Sequence, residues 1–269
     1  MIREPAFAGH FYPEDPATLR AAVGECLEAG SGDPAIAAFA IVVPHAGYVY
    51  SGRIAGAVYG GTRLPERLVI LCPNHTGRGE PVAVMNRGGW RTPLGVAPVD
   101  GTLADLILSR CPMATIDDEA HRHEHSLEVQ LPFLQVLRPE PRFVPVCVGI
   151  AGLPELAALG RGLAEALALA GGGAGIVVSS DMSHYLPADV ARAQDRAALE
   201  RIEAMDPEGL HRVVRERAIS MCGIAPAVAG LVAAREAGAR SARLIAYGNS
   251  GDAGGGYGSV VAYAGLAIT

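Results

Sequence analysis

Residues 39–48 read FAIVVPHAGY, and this stretch indicates the fold more directly than any other. The apolar, largely β-branched run predicts a buried strand over 39–43, and polar loop residues follow it at once. The same change recurs three times further along the chain. It occurs in LVILCPNHTG (68–77), GIVVSSDMSH (175–184) and RLIAYGNSGD (243–252). Further strands are expected over 143–148 and 259–267.

Helical patterns separate these strands, which is typical of an α/β protein. Asp15 and Pro16 predict a helix start, with the aspartate as cap, and Gly30 predicts its end. The segment 82–99 has turn residues around Trp90 and is expected to be an inserted hairpin. We therefore predict a single α/β domain over residues 1–269, with a mostly parallel, doubly wound sheet flanked by helices. The expected helices cover 15–28, 53–59, 103–110, 125–137, 153–169, 188–204 and 225–237.

Composition excludes several classes of function. The net charge is −6, so no basic excess is present to bind a nucleic-acid backbone. All 22 cationic residues are Arg, and without Lys both Walker-A phosphate binding and Schiff-base chemistry are excluded. Five scattered cysteines do not resemble a disulfide framework, and neither a signal peptide nor a membrane-length apolar run is seen. We expect a cytoplasmic protein that binds neither nucleic acid nor membrane.

The polar residues after the strands predict a functional site. In open α/β sheets, ligands bind beyond the carboxyl ends of the strands, so the four loops are expected to meet at one edge. Each loop taken alone also fits an ordinary turn or surface histidine. The loops contribute His45, His75, Asp181, His184, Asn249 and Asp252.

His45 and His75 are the best pair of metal ligands. Two imidazoles and one carboxylate form the facial triad of non-haem Fe(II) oxygenases, and imidazole also suits Cu and Zn. Asp252 or Asp181 would complete the set, and a thiolate from Cys222 is a weaker third choice, since Cys222 also fits a small buried apolar residue. Asn249 is a further candidate for the site. We predict His45, His75 and Asp252 as ligands, with Fe(II) as the metal and Cu or Zn as alternatives.

Two other pairs are candidates for proton transfer. Asp181 and His184 lie three residues apart after a strand and could form a carboxylate-oriented imidazole; the alternative is a helix cap. His125 and Glu128 share one helix face, where they could orient a ligand or pass a proton. For the neighbouring His121 and His123, a functional role and a charged helix start are equally supported.

Seven ordered motifs resemble the Memo-like family, whose microbial members are called AmmeMemoRadiSam system protein B. The resemblance implies a fold similar to that of class III extradiol dioxygenases, and a radical-SAM protein as partner. It implies metal binding by His45 and His75, a pocket lined by Asp181 and His184, and a helix with His125 and Glu128 beside the cleft. The motifs are REPAFAGHFYP (3–13), PHAGYVYSG (44–52), PNHTG (73–77), EHSLEVQLPFLQ (124–135), SSDMSH (179–184), CGIAP (222–226) and YGNSGD (247–252).

Three functions compete at this point. The first is a non-haem iron oxygenase or redox enzyme whose small substrate chelates the metal while His184 moves a proton. The second is a non-enzymatic module that binds a peptide or another protein, such as the radical-SAM partner. The third is a zinc-dependent hydrolase that uses Asp181 or His184 as base.

Overall fold

Alternate side chains of the central strands enter two hydrophobic cores, one on each face of the sheet. In the computed structural model, which describes residues 1–31, 35–171 and 173–269, Ala40 and Val42 belong to one core. Ile41 and Val43, on the same strand, belong to the other. Because successive side chains of a strand point to opposite faces, a strand buried on both faces is a continuous apolar run. This is the pattern by which the sequence predicted the strand.

The strands account for the apolar runs and add several short elements. Over the described residues they are β1 Ile2–Arg3, β2 Ile36–Ala37, β3 Ala40–Val43, β4 Thr62–Arg63, β5 Arg67–Pro73, β6 Val82–Val84, β7 Gly89–Thr92, β8 Gly95–Pro98, β9 Thr115–Ile116, β10 Arg142–Val148, β11 Ala174–Ser179, β12 His184–Leu186, β13 Ala242–Asn249 and β14 Val260–Ile268. Each strand expected from sequence is present, with its ends shifted by up to two residues.

The helices lie between the strands, as an alternating α/β pattern requires. Over the same residues they are α1 Pro16–Glu28, α2 Tyr48–Gly61, α3 Gly101–Arg110, α4 His125–Glu128, α5 Leu131–Leu137, α6 Leu153–Leu169, α7 Ala188–Glu203, α8 Pro207–Glu216 and α9 Ile224–Glu236, with a 3₁₀ turn at Ser250–Ala253. None of these helices combines the length and the apolar character needed to cross a bilayer.

The main sheet is parallel at its centre and mixed at its ends. Its order is β12-β14-β3-β11-β5-β10-β6-β9, and the pairs β3/β11, β11/β5 and β5/β10 are parallel. Strand β14 is antiparallel to β3, and β13 is antiparallel to β14. Two reversals bring β13 back to the direction of β3. The carboxyl ends of β3, β5, β11 and β13 therefore lie at one edge, and the predicted doubly wound, mostly parallel α/β fold is confirmed.

The helix expected over 125–137 is two helices. Pro132 sits in the first turn of α5, where its missing N–H costs nothing. In one continuous helix, residue 132 would have to donate an N–H to the carbonyl of Glu128, and proline has none to donate. The first helix therefore ends at Glu128, and the second begins at Leu131. The break leaves room for the side chain of Gln130, which is buried in the site described below.

Helix α8 was not predicted, although its start repeats that of α1. Asp206 caps it and Pro207 occupies its first turn, as Asp15 and Pro16 do in α1. The segment 82–99 is a hairpin only in its second half, where β7 and β8 are antiparallel. Its first strand, β6, instead joins the main sheet beside β10. The sequence pattern of a hairpin does not show whether one of its strands will pair with a strand of the main sheet instead.

The contact between α1 and α2 yields a stability prediction. A methyl group at Gly56 of α2 would overlap the backbone carbonyl of Cys26 in α1, whereas no atom lies within 4 Å of a methyl group at Gly24. Gly56→Ala should therefore lower the free energy of unfolding by about 1–3 kcal/mol. Gly24→Ala should raise it by about 0.5–1 kcal/mol, since alanine favours helix. Urea unfolding of both variants checks this, and equal effects would contradict the packing.

Candidate metal centre

Three histidines from separate parts of the chain come together at the carboxyl edge of the sheet. His45 follows β3, His75 follows β5, and His125 is the first residue of α4. One nitrogen from each ring lies within 4.8 Å of the others. Among the described residues, this is the one group of three or more His, Cys, Asp or Glu side chains that converges so closely. The ring centroids are 5.3 Å (His45–His75), 5.4 Å (His45–His125) and 4.6 Å (His75–His125) apart. This spacing suits a single ion with nitrogen bonds of about 2 Å.

Hydrogen bonding determines which nitrogen of His45 faces the cluster. The hydroxyl of Ser179 donates its one proton to the carbonyl of Ser126 at 2.6 Å, and it accepts from Nε2 of Gln130 at 3.0 Å. Its contact of 2.9 Å with Nδ1 of His45 must therefore use a proton on that nitrogen. The lone pair of His45 is left on Nε2, the form in which imidazole binds a metal.

A buried carboxylate does the same for His75. Nδ1 of His75 donates to Oε1 of Glu124 at 2.8 Å, and the backbone N–H of His75 donates to Oε2 at 2.7 Å. The backbone N–H and hydroxyl of Ser126 also donate to Oε1, at 3.0 and 2.7 Å. Burial alone would raise the pKa of Glu124, but the hydrogen bonds from His75 and Ser126 outweigh it and hold the pKa at about 2. A carboxylate that orients a metal-binding histidine is a common feature of metal sites.

The imidazoles of His45 and His125 are held in their neutral, metal-binding form. Burial and, to a smaller extent, the neighbouring His75 together lower the pKa of His45 to about 3. Burial and the proximity of His45 lower the pKa of His125 to about 4. A metal ion therefore does not have to displace a proton from either ring at neutral pH.

Asp181 and Cys222 lie beside His45, outside the group of three. The backbone N–H of His45 donates to Oδ1 of Asp181 at 2.7 Å, and Oδ2 lies 3.9 Å from Nε2 of His45. Burial raises the pKa of Asp181 to about 6. The sulfur of Cys222 is 3.1 Å from Nε2 of His45, and burial raises its pKa well above the usual value, so it is a thiol that can donate to Nε2. Both residues thus border the predicted metal position.

His184 lies at the start of β12 and is held by two hydrogen bonds to Ser220, which is far away in the chain. Its N–H donates to the hydroxyl of Ser220 at 2.8 Å, and Nδ1 lies 2.9 Å from the carbonyl of the same residue. Because a carbonyl only accepts, Nδ1 carries the proton and Nε2 is the basic nitrogen. Tyr185 next to it has a φ of 59°, a left-handed conformation that is unusual for an aromatic residue.

Glu128 and His121 do not lie in the histidine cluster. Glu128 is fully buried and accepts hydrogen bonds from Arg3, from Tyr12 and from the backbone N–H groups of Ala6 and Phe7. The Glu128 carboxylate thus contacts the N-terminal segment and not the histidine cluster, and its catalytic role stays a prediction. His121 is buried 5.8 Å from the Trp90 ring, and its neighbour His123 is exposed.

Asp252 is not brought to the histidines either. Its Oδ2 accepts from the backbone N–H of Asn249 at 2.9 Å, and its Oδ1 accepts from Tyr257 at 3.2 Å. The side chain of Asn249 in turn accepts from Gly251, so both residues cap the 3₁₀ turn Ser250–Ala253. Of the predicted ligand set, His45 and His75 converge, and His125 takes the third place that was assigned to Asp252.

Four residues of the site had no role in the sequence prediction, namely Glu124, Ser126, Ser179 and Gln130. Glu124 precedes His125 in the EHS motif, so its position carried a signal that could have been used. Ser179 and Gln130 carried no local signal, because their roles depend on contacts with residues far away in the chain. Gln130 also donates to the carbonyl of Pro44 at 2.9 Å, which ties the helix break to the loop that carries His45.

Comparisons with known proteins agree with the motifs. Residues 3–267 match the family model described as Memo-like protein. A MEMO1 family protein of Methanothermobacter thermautotrophicus is 41% identical over 99% of this chain and 100% of its own length. One from Aquifex aeolicus is 44% identical over 98% of each chain.

The fold has a counterpart among solved structures. The crystal structure of an uncharacterized protein from Escherichia coli K12 matches with a TM-score of 0.58 over 84% of this chain and 98% of that one. The sequence identity is 16%, so this likeness shows the fold alone. The two full-length relatives and the family match carry the assignment, and the chain belongs to the Memo-like family.

Proposed function

We propose that this protein binds one first-row transition metal ion through His45, His75 and His125 and uses it in oxygenase or redox chemistry. The observation that carries the proposal is the convergence of three imidazole nitrogens within 4.8 Å. Two of those rings are oriented by hydrogen bonds at Nδ1, which is how proteins prepare histidines for metal binding. Imidazole ligands suit Fe, Cu and Zn, and Fe(II) is the metal that we propose for the oxygenase function.

The chain's own residues support substrate binding and proton transfer. A bound Fe(II) would supply open coordination positions for a chelating substrate and for oxygen. The Asp181 carboxylate, 3.9 Å from Nε2 of His45, is placed to hold a proton next to the metal position. His184, with its proton fixed on Nδ1, offers Nε2 as a base. The native substrate, a small molecule or a peptide, is to be found by screening.

A zinc-dependent hydrolase is the second candidate, and one observation favours it. The third ligand is a histidine and not a carboxylate, and three histidines form the ligand set of some catalytic zinc sites. In that case Asp181 or His184 would be the base. Metal analysis after anaerobic purification, together with assays of oxygen uptake with catechols and of ester and amide hydrolysis, separates the two functions.

A non-enzymatic module would be favoured by an incomplete set of metal ligands, but His125 is available as a third ligand beside His45 and His75. Binding to a radical-SAM protein and location in the cytoplasm remain predictions. A pull-down with and without chelator tests the partner: binding that is indifferent to metal, together with no turnover, would favour the module.

Replacing His125 tests the ligand set. His125→Ala should lower the bound metal from about one ion per chain to a small fraction, as should the double variant His45→Ala plus His75→Ala. Asp252→Asn should leave the metal content unchanged, since the Asp252 carboxylate caps an exposed turn. Metal content is measured by plasma mass spectrometry after anaerobic purification. Equal metal in the wild type and the double histidine variant would end the proposal.

Replacing Glu124 tests how the site is held. Glu124→Gln keeps the size of the side chain but removes the charge that accepts from Nδ1 of His75. The dissociation constant for Co(II) should rise about 10- to 100-fold, as for other residues that orient a metal-binding histidine. Glu119→Gln, in the same segment but with a side chain that is 44% exposed, serves as the control and should not change the affinity. Unchanged affinity in Glu124→Gln would show that the carboxylate does not support the metal.

A further inference from the structure

We propose that residues 3–12 form one wall of the metal centre and that Glu128 is the positioning residue that holds this wall. We call these residues the N-terminal strap. Through its two phenylalanines, the strap would select ligands that carry a flat apolar group next to their metal-binding atoms. This inference rests on the proposed metal-binding function, and it adds a class of ligand and the residues that select it.

Glu128 is bound almost entirely by the strap. Its Oε2 accepts from the guanidinium of Arg3 and from the backbone N–H of Ala6, the latter at 3.1 Å. Its Oε1 accepts from the N–H of Phe7 at 2.9 Å and from the hydroxyl of Tyr12 at 2.5 Å. The carboxylate is fully buried. Four donors from ten consecutive residues thus meet on one side chain. The regular structure within this segment is limited to the second residue of β1 and a turn closed by the Ala8–Tyr12 bridge, so the carboxylate is a main support of the strap.

Arg3 connects the strap to the segment that carries His125. Besides pairing with Glu128, its guanidinium donates to the carbonyl of His121 at 2.8 Å and to that of Glu124 at 3.2 Å. It also lies 4.1 Å from the centre of the buried Trp90 ring, a cation–π contact. Glu124 is the residue that orients His75, so the strap is attached to the supporting framework of the site.

The strap places two aromatic rings against the third ligand. The ring centroid of Phe11 lies 4.9 Å from that of His125, and the centroid of Phe7 lies 5.5 Å from it in an edge-on arrangement. His125 also stacks on His75, with the ring centroids 4.6 Å apart. His125 therefore contacts both a metal-binding ring and two apolar rings, and its Nδ1 lies 3.6 Å from Oε1 of Glu124, farther than the 2.8 Å hydrogen bond that orients His75.

This arrangement has a consequence for ligand choice. Phe7 and Phe11 are only half-buried, so part of each ring faces solvent next to His125. A ligand that binds the metal and carries an aromatic ring could cover this surface, with a gain from apolar burial and from aromatic contact. The polar groups that border His45 are Asp181 and Cys222. Polar side chains thus lie next to His45, whereas the apolar rings next to His125 belong to the strap.

Two hydroxamates test the selection in Co(II)-loaded protein. Acetohydroxamate and benzohydroxamate present the same metal-binding atoms and differ in the ring. Wild type should bind benzohydroxamate at least about tenfold more tightly, measured by the change in the Co(II) spectrum. The double variant Phe7→Ala plus Phe11→Ala should lose most of this preference while its affinity for acetohydroxamate changes little.

Glu128→Gln tests the positioning role. It should reduce the preference for benzohydroxamate at least about fivefold and speed hydrogen exchange of the Ala6 and Phe7 amides, which lose their charged acceptor. Asp100→Asn is the matched control, because Asp100 is also a buried carboxylate paired with an arginine, Arg67, but lies at the start of α3. It should leave the ligand preference and the two amides unchanged.

Each result bears on a separate statement. Failure of wild type to bind Co(II) would overturn the proposed function, and hydrogen exchange of Glu128→Gln would still test the positioning role. Co(II) binding with equal affinity for both hydroxamates, or for neither, would overturn the selection by the strap. A preference kept in the phenylalanine double variant would do the same, even if Glu128→Gln did not fold. Unchanged exchange at Ala6 and Phe7 in folded Glu128→Gln would overturn the role of Glu128.

Discussion

Ser126 joins the hydrogen bonds on which the metal centre depends. Its carbonyl accepts from Ser179, the residue that orients His45, and its N–H and hydroxyl donate to Glu124, which orients His75. Its neighbour His125 supplies the third ring. The first turn of α4 therefore supports all three histidines, and a shift of this turn would change the site as a unit. Such coupling is expected in a buried polar network, where partners strengthen one another and a lost partner is costly.

The polar network lies at the edge of an otherwise apolar framework. Ser179 is the last residue of β11, and Glu124, Ser126 and Gln130 lie in or next to α4; all four are fully buried. Burying such groups costs free energy unless each finds partners, and here the contacts come from other members of the network and from backbone groups. The rigid parallel strands fix the ends from which His45 and His75 extend. The apolar cores thus stabilise the fold, and the edge of the sheet can carry polar groups arranged for ligand binding.

Helix α4 is only four residues long but serves two sides of the molecule. His125 points to the other histidines, while Glu128 points to Arg3 and the N-terminal strap. In a regular helix, residues three apart lie near each other on the surface, and this led to the prediction that both would act in one site. The short helix ends at Glu128, and the carboxylate finds its donors in residues 3–12. His125 and Glu128 are therefore close in the helix, but their side chains contact different parts of the molecule.

The sequence by itself determined the strands, most of the helices and the pair His45 and His75. These follow from local rules: apolar runs bury on both faces of a sheet, aspartate and proline start helices, and residues after parallel strands gather at one edge. The third ligand and the supports of the rings were decided by tertiary structure alone. Ser179 meets His45 because β11 pairs directly with β3, and Glu124 meets His75 across 49 residues of chain. The order of strands and the docking of α4 come from long-range packing, to which no local pattern of residues is sensitive.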